Sequence, residues 1–293
     1  MSKVVDNYIL EEEIGTSQFC TMFKSRNIMT KEYVAIKVLK LDMYKRYPLL
    51  QQMITEEVQA LKILDSKHII KSLRFLRTSN NMYQVYEFFP TGNLKNLLSK
   101  QTTIPEPQAL AIFKDIVFGL KALYEKNIIH QNMKPSNIFF RDSMAVIGDF
   151  NGCRILKSKY ETLNGSNGLP TYLAPEILGN QNFDMRSDLY SLGVVLYEML
   201  FGQKPYKSVN AKDLLEEIEG GYRLKYENYP VGQVTEDILK GLLQKNPSLR
   251  MSHESLFAFV LQEKFPEVYT RSSGASDSPG KFGSGVGGGD GYG

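Results

Sequence analysis

The stretch from His130 to Asp149 constrains the fold of this chain more than any other part of the sequence. It opens with His-Gln-Asn-Met-Lys-Pro-Ser-Asn. The residues before it, 109–123, carry apolar side chains every three or four positions, which predicts a helix with one buried face. An apolar run at 138–140, a polar turn and a second apolar run follow the loop. The predicted order is therefore helix, loop, strand, turn and strand.

Polar side chains lie where this loop meets the ends of the two predicted strands. Asn137 comes just before the first strand and Asp149 just after the second, so we expect them to lie close together. Amide and carboxylate oxygens are ligands that a magnesium ion takes. Lys134 adds a point charge suited to a phosphate. The stretch therefore predicts a site for magnesium and a phosphate-bearing ligand.

The same stretch resembles the catalytic loop of the eukaryotic protein kinases, whose pattern is His-Arg-Asp-x-Lys-x-x-Asn, followed further on by Asp-Phe-Gly. The ending Lys-Pro-Ser-Asn is more similar to Ser/Thr kinases than to Tyr kinases. Three positions depart from the pattern. Asn132 stands where the family has its catalytic aspartate, Gln131 replaces the arginine, and Asn151 replaces the glycine.

The resemblance extends to the N-terminal part of the chain. Two extended runs around Gly15 resemble the glycine-rich loop, where missing side chains let backbone N–H groups approach phosphates. Ser17 and Cys20 occupy the positions of the other two glycines. A run Val-Ala-Ile-Lys, ending at Lys37, matches the family's strand lysine. Glu57 falls on the apolar face of a predicted helix, where an unpaired acid is costly, so we expect it to pair with Lys37.

An adenine pocket between two lobes is also implied by the resemblance. Tyr86 stands at the gatekeeper position, and Glu87 and Phe89 would offer backbone groups to the base. The other residues that the resemblance assigns to the nucleotide pocket are Ile14, Met22, Ala35 and Phe139.

Residues 168–176, Gly-Leu-Pro-Thr-Tyr-Leu-Ala-Pro-Glu, resemble the end of a kinase activation segment. Ser/Thr kinases carry a threonine there that bonds the catalytic aspartate and lysine, but Leu169 has no group to do so. Arg250 matches the arginine that pairs with the final glutamate, Glu176, and we expect a buried ion pair. The polar residues before this motif that could be phosphorylated are Ser158, Tyr160, Thr162 and Ser166.

The implied fold class is α+β, a bilobal protein kinase fold with a small β-rich N-lobe and a larger, mostly α-helical C-lobe. The expected kinase-like domain spans residues 8–268, with the N-lobe at 8–88, the hinge at 87–92 and the C-lobe at 93–268. Residues 269–293 are rich in glycine and serine and are expected to be a disordered tail.

Composition narrows the partners and the compartment. The chain has 293 residues, 42% of them hydrophobic, and a net charge of +3, which gives no case for nucleic-acid binding. Cys20 and Cys153 lie far apart and in no metal-ligand spacing, which fits reduced thiols. No signal peptide and no apolar run of membrane-spanning length is evident. These features favour a cytoplasmic or nuclear protein with no membrane partner.

The departures from the kinase pattern, above all Asn132, lead to three functional hypotheses. An amide is almost non-basic, so Asn132 is expected to offer only its carbonyl oxygen as an acceptor, and a general base contributes ~10²–10⁴-fold to the rate. The favoured hypothesis is a pseudokinase that binds ATP and acts as a scaffold or allosteric regulator. The second is a slow or unconventional ATP-dependent Ser/Thr kinase, using Lys134 and the magnesium ligands. The third is a nucleotide-free interaction domain, favoured by Ser17 and Cys20. Each implies a protein partner or substrate.

Overall fold

The structure is a computed structural model, and the residues that it describes are 3–17, 19–165, 168–220 and 231–261. The tail predicted at 269–293 and the candidate phosphorylation site Ser166 lie outside these ranges. Within the described part of the chain, no helix is long and apolar enough to cross a membrane.

The N-terminal part forms a six-stranded antiparallel sheet in the order β1-β2-β3-β4-β6-β5. Its strands are β1 Lys3–Val5, β2 Tyr8–Thr16, β3 Cys20–Asn27, β4 Tyr33–Lys40, β5 Ser72–Arg77 and β6 Asn81–Glu87. β4 is central and is buried on both faces along most of its length, as its run of apolar residues predicts. β5 lies at one edge and is largely exposed. The sheet therefore gives Lys37, in the middle of β4, a fixed place.

Two helices, α1 Leu41–Arg46 and α2 Pro48–Ile63, connect β4 to β5. α2 begins with Pro48 in its first turn, where the missing N–H would have no helical partner in any case. The buried residues of α2 recur at helical spacing: Leu50, Ile54, Glu57, Ala60 and Leu61. Glu57 is the acid of this buried face, as the sequence predicted.

The C-terminal part is mostly helical. Its helices in the described residues are α3 Leu94–Lys100, α4 Glu106–Glu125, α5 Pro175–Leu178, α6 Arg186–Phe201, α7 Ala211–Glu219, α8 Gln233–Leu242 and α9 His253–Leu261. α6 is buried along nearly its whole length and packs against α4 and α8, so it lies at the centre of this lobe.

Two short antiparallel strand pairs complete the C-terminal part. β7 Ile128–Ile129 pairs with β10 Arg154–Ile155, and β8 Ile138–Arg141 pairs with β9 Met144–Ile147. The order of helix, loop, strand, turn and strand predicted around His130 is confirmed by α4, β8 and β9. The two-lobed α+β architecture is confirmed as well, with the sheet in one lobe and the helices in the other.

The predicted ion pair between Glu176 and Arg250 forms inside the C-terminal lobe. Two guanidinium nitrogens of Arg250 lie 2.8 and 2.9 Å from the two carboxylate oxygens of Glu176. Both side chains are buried. Arg250 also donates to the backbone oxygens of Arg186 and Gln244. The pair therefore ties the start of α5 to the start of α6 and to the loop after α8.

Candidate active site

A cleft of about 640 Å³ lies between the sheet and the helical lobe. Its roof comes from β2, β3 and β4, its back wall from α2 and β6, and its floor from the loop before β8 and the residues after β9. Its lining combines apolar side chains with four charged ones, those of Lys37, Glu57, Lys95 and Asp149. This composition is typical of a small-molecule site.

Lys37 and Glu57 form an ion pair inside the cleft. Lys37 Nζ lies 2.7 Å from Glu57 Oε2, and both side chains are buried. Burial acts to lower the pKa of Lys37, but the carboxylates of Glu57 and Asp149 outweigh it and raise that pKa above its usual 10.5. The lysine therefore stays protonated and fixed, suited to an anionic ligand.

Tyr86 binds the second carboxylate oxygen of Glu57. Its hydroxyl donates to Glu57 Oε1 over 2.8 Å, so both oxygens of this buried acid have a donor. Burial, followed by the nearby charge of Glu57, raises the pKa of Tyr86 well above 10. The phenol stays protonated and keeps donating. Tyr86 thus closes the back of the cleft and holds Glu57 in place.

Glu56, the neighbour of Glu57, points in another direction. Its Oε2 lies 2.9 Å from Nε of Arg154 and accepts the backbone N–H of Ile155 over 3.2 Å. Both residues belong to β10, a few positions after Asp149. α2 is therefore held to the sheet by Glu57 and to the segment after Asp149 by Glu56.

The loop that starts at His130 is held by a buried acid of α6. Asp188 accepts the backbone N–H of His130 over 2.7 Å and that of Gln131 over 2.9 Å. Gln131 has φ +61°, a left-handed conformation that costs a non-glycine residue about 1 kcal/mol or more. His130 Nε2 lies 3.2 Å from the oxygen of Gly148, and its ring packs edge-on against Phe150. These contacts fix the backbone just before Asn132.

Asn132 lies between the two predicted magnesium ligands. Its amide Nδ2 donates to Asp149 Oδ2 over 2.9 Å, and its backbone oxygen accepts from Asn137 Nδ2 over 2.7 Å. The expectation that Asn132 would only accept was wrong, because the facing carboxylate of Asp149 can only be an acceptor and turns the amide nitrogen towards itself.

A second, small cavity of about 10 Å³ adjoins this loop and has room for about one water molecule. Asn132, Lys134 and Leu169 are among the residues that line it. Leu169 brings an isobutyl group to the place where a threonine hydroxyl was expected from the resemblance, so this face of the loop lacks that bond. Nε2 of Gln131 is buried here with no partner among the described residues.

The family profile of the protein kinase domain matches residues 8–263 of the chain. The chain belongs to the protein kinase family. Among curated members, serine/threonine-protein kinase ULK3 of Homo sapiens is 32% identical over 260 residues, which cover 87% of this chain and 54% of that protein. Serine/threonine-protein kinase ATG1a of Arabidopsis thaliana is 28% identical over 292 residues, which cover 96% and 46%. Serine/threonine-protein kinase atg1 of Dictyostelium discoideum is 30% identical over 265 residues, which cover 87% and 39%. The chain spans about half the length of these kinases, or less.

Most of the residues that the kinase pattern predicted do come together. Those that line the cleft are Gly15, Ser17, Cys20, Met22, Lys37, Glu57, Tyr86, Asn137, Phe139 and Asp149. Asn132 and Lys134 line the small cavity beside it. The predicted residues that do not line the cleft are Ile14, Ala35, Glu87 and Phe89. Ile14 is half exposed and Ala35 is buried in the sheet.

The two hinge residues make other contacts. The carboxylate of Glu87 is bound by Arg141 of β8, 2.6 Å away, and accepts the backbone N–H of Lys71. Phe89 stacks on Phe139, with ring centroids 5.1 Å apart. The ring of Phe139 also covers Gly148, where an added Cβ would lie 2.8 Å from it. The kinase hinge is therefore tied to the floor of the cleft through side chains.

Residues that the kinase pattern did not single out also line the cleft: Thr16, Ile70, Lys95 and Ser136. Thr16 and Ser136 are direct neighbours of the predicted residues Gly15 and Asn137, so adjacency could have found them. Ile70 and Lys95 carry no such signal, because a loop and the first turn of α3 bring them to the cleft only in the folded chain.

The residues present fit a magnesium ion poorly. Proteins hold this ion with one or two carboxylates, together with waters and phosphates. Asp149 and Asn137 offer oxygens of the right kind, but one carboxylate oxygen already accepts the amide of Asn132. No step of the function proposed below relies on the ion.

Proposed function

We propose that this member of the protein kinase family is a pseudokinase. It binds ATP in the cleft and acts on a protein partner as a scaffold or allosteric regulator, with little or no phosphoryl transfer. The observation that carries the proposal is the hydrogen bond of 2.9 Å from the amide of Asn132 to Asp149. This bond occupies the group that stands at the position of the family's general base.

The loss of catalysis follows from the chemistry of the amide. A general base must accept the proton of the attacking hydroxyl, but an amide nitrogen has no basic lone pair and here points its N–H at Asp149. General-base catalysis typically contributes ~10²–10⁴-fold. Leu169 leaves the neighbouring position without a hydroxyl. The general base and the threonine that would bond it are therefore missing together.

ATP binding is supported by the buried pair of Lys37 and Glu57 and by the volume of the cleft. The loop around Gly15 contributes less than in the family pattern. The N–H of Ser17 donates to the backbone oxygen of Cys20 over 2.8 Å, and the side chains of the two residues contact each other at 3.1 Å. The N–H of Ser17 is therefore taken up within the loop, so phosphate binding rests mainly on lysines.

A slow Ser/Thr kinase is the second candidate, and the retained positioning groups favour it. Lys37 is paired with Glu57 as positioning of the phosphates requires, and Lys134 lies beside Asn132. Phosphoryl transfer depends mostly on positioning and electrostatics. The relatives above, named Ser/Thr kinases, support the same candidate.

The test combines ATP binding with phosphoryl transfer. We expect ATP to raise the unfolding temperature of the full chain, since saturation a hundredfold above the dissociation constant stabilises by ~2.7 kcal/mol. We expect no transfer to generic protein substrates, and a gain of transfer in Asn132→Asp. Lys37→Met, which removes the ammonium, is the control for binding in the cleft.

Two results would contradict the proposal. Transfer at kinase-like rates with Asn132 in place would establish the second candidate. Absence of any ATP effect at millimolar concentration would leave a nucleotide-free interaction domain, the hypothesis that Ser17 and Cys20 favour.

A further inference from the structure

We infer that the cleft binds its nucleotide without a divalent cation, because the amide of Asn132 occupies the place at Asp149 that a cation would take. This inference rests on the proposed ATP binding and specifies the form of the ligand: free ATP, with its phosphates held by lysines.

The first argument is that the polar groups around Asp149 are bonded to one another without an ion. Asn132 Nδ2 donates to Asp149 Oδ2 at 2.9 Å, the usual length of a hydrogen bond to a carboxylate. Asn137 turns its own Nδ2 towards the backbone oxygen of Asn132, 2.7 Å away. The side chain of Asn132 is half-buried, and the backbone just before it is fixed because the N–H groups of His130 and Gln131 donate to Asp188. This anchoring helps to keep the amide directed at Asp149.

The second argument concerns charge. With an aspartate at position 132, two carboxylates would face each other about one hydrogen-bond length apart, an arrangement that needs a proton or a cation between them. With Asn132 there is one carboxylate, and an N–H already points at it. Asp149 also lies within the electrostatic field of Lys37, which it helps to keep protonated. The loop therefore no longer presents a second carboxylate to Asp149 that a cation would have to bridge.

The third argument is that the phosphates have other cations to bind. Two lysines, Lys37 and Lys95, line the cleft. Its acidic lining residues are Glu57 and Asp149. Lys95 lies in the first turn of α3, where its side chain is exposed, and no motif had assigned it to the cleft. A magnesium ion at Asp149 would approach the N–H of Asn132 and lose water that it releases reluctantly. The lysines need no such exchange.

The test measures ATP binding to the full chain by calorimetry, in EDTA and in magnesium chloride. We expect the two dissociation constants to agree within about threefold. Asn132→Asp restores the facing carboxylates, so its affinity in EDTA is expected to fall at least tenfold and to recover in magnesium. Asn80→Asp, on the exposed turn between β5 and β6, adds the same charge outside the cleft and should behave like the parent.

A second readout does not need ATP. Magnesium chloride alone should raise the unfolding temperature of Asn132→Asp and leave that of the parent unchanged. If Asn132→Asp does not fold well, Asn132→Ala serves instead: it frees Asp149, so magnesium should now strengthen ATP binding.

The outcomes separate this inference from the proposed function. ATP binding by the parent only in magnesium overturns the inference and leaves the pseudokinase proposal standing. Equal affinities of parent, Asn132→Asp and Asn132→Ala in EDTA overturn the role given to Asn132. No binding under any condition overturns the proposed ATP binding itself, and the inference with it.

Discussion

Glu57 shows at the residue scale how one buried acid organises the cleft. Its two oxygens are shared between Lys37, 2.7 Å away, and Tyr86, 2.8 Å away. A buried carboxylate is stable only when its charge is paired and its lone pairs are bonded. The hydroxyl of Tyr86 therefore completes the bonding of the buried carboxylate. The side chain stabilises the ion pair as well as narrowing the pocket.

Tyr86→Phe tests this contact. We expect it to lower the free energy of unfolding by about 1.5–3 kcal/mol, the usual worth of a hydrogen bond to a charged group. Denaturant unfolding measures the change. Tyr83→Phe is the matched control and should cost less, because among the described residues the Tyr83 hydroxyl accepts from the neutral amide of Asn81. Equal losses in the two variants would argue against a charge-assisted bond.

His253 gives a prediction about pH. Its ring stacks on Tyr124, and burial lowers its pKa from 6.5 to about 4. Asp184 and Glu254 raise this pKa, while Arg186 and Lys159 lower it further. The unfolded chain binds the proton near pH 6.5 and the folded chain does so only near 4. The folded form is therefore fully favoured above pH 6.5 and loses stability as pH falls towards 4.

The measurement is the free energy of unfolding between pH 7.5 and 5 for the parent and for His253→Gln. Below pH 6.5, the free energy of unfolding of the parent should fall by up to about 1.4 kcal/mol per pH unit more than that of His253→Gln. The reason is that the unfolded parent takes up one proton that the folded parent does not. His130, whose pKa burial also lowers to about 4, is present in both proteins and cancels. Parallel curves would mean that His253 takes no part.

At this scale the sequence was informative about residue types and less so about contacts. The pairing of Lys37 with Glu57 could be predicted because an acid on an apolar helix face demands a partner. The donation from Asn132 to Asp149 could not, because an amide can donate or accept. Only the neighbour across the loop, which is distant in sequence, decides which it does.

Helix α2 is the element whose position matters most to the cleft. It carries Glu57 on one side and Glu56 on the other, and Glu56 binds Arg154 and Ile155 of β10. Gln131, which replaces the family's arginine, cannot pair with a phosphate on the segment that follows Asp149. α2 is therefore held against β10 by a carboxylate of the chain itself.

Glu56→Gln should weaken the attachment of α2 to β10 with little effect on the stability of the whole protein. The pair with Arg154 is partly exposed, so we expect a loss of stability of about 1 kcal/mol or less. Backbone amides of β10 and of the second half of α2 should exchange faster with solvent, as hydrogen exchange would show. Glu11→Gln, which breaks the surface pair with Arg26, should leave these amides unchanged. Unchanged exchange in Glu56→Gln would show that packing alone holds α2.

Elements were the part of the structure most open to sequence reasoning. Apolar spacing marked α2 and α4, and the short runs before and after the polar turn marked β8 and β9, because burial of one face leaves a period in the sequence. Residues 88–93 show no such regular spacing of apolar side chains. The sequence therefore did not predict that the carboxylate of Glu87 would bind Arg141.

The ion pair of Glu176 and Arg250 acts at the scale of the whole molecule, since it joins parts of the C-terminal lobe that are far apart in sequence. Arg250→Met leaves a buried carboxylate without a partner, which typically costs about 3–5 kcal/mol. For a chain of this size the unfolding temperature should fall by roughly 2–4 °C per kcal/mol.

The double variant with Glu176→Gln removes the stranded charge and should recover much of the loss in a thermal unfolding series. A double variant as unstable as Arg250→Met would place the cost in the bonds that Arg250 makes to the backbone of Arg186 and Gln244 instead. The sequence predicted this pair from motif order alone, since the two residues keep their places at distant positions of one fold.

The hydroxyl of Tyr86, anchored to Glu57, has a pharmacological consequence. A planar compound that fills the cleft meets a phenol at the back wall, held in one position by a buried charge. Substituents that reach past a smaller residue at this position in other proteins are excluded here by size. Compact compounds should therefore engage this protein while their extended analogues spare it. Comparing a matched pair of such compounds would separate effects exerted through this cleft from effects on proteins with a smaller residue at this position.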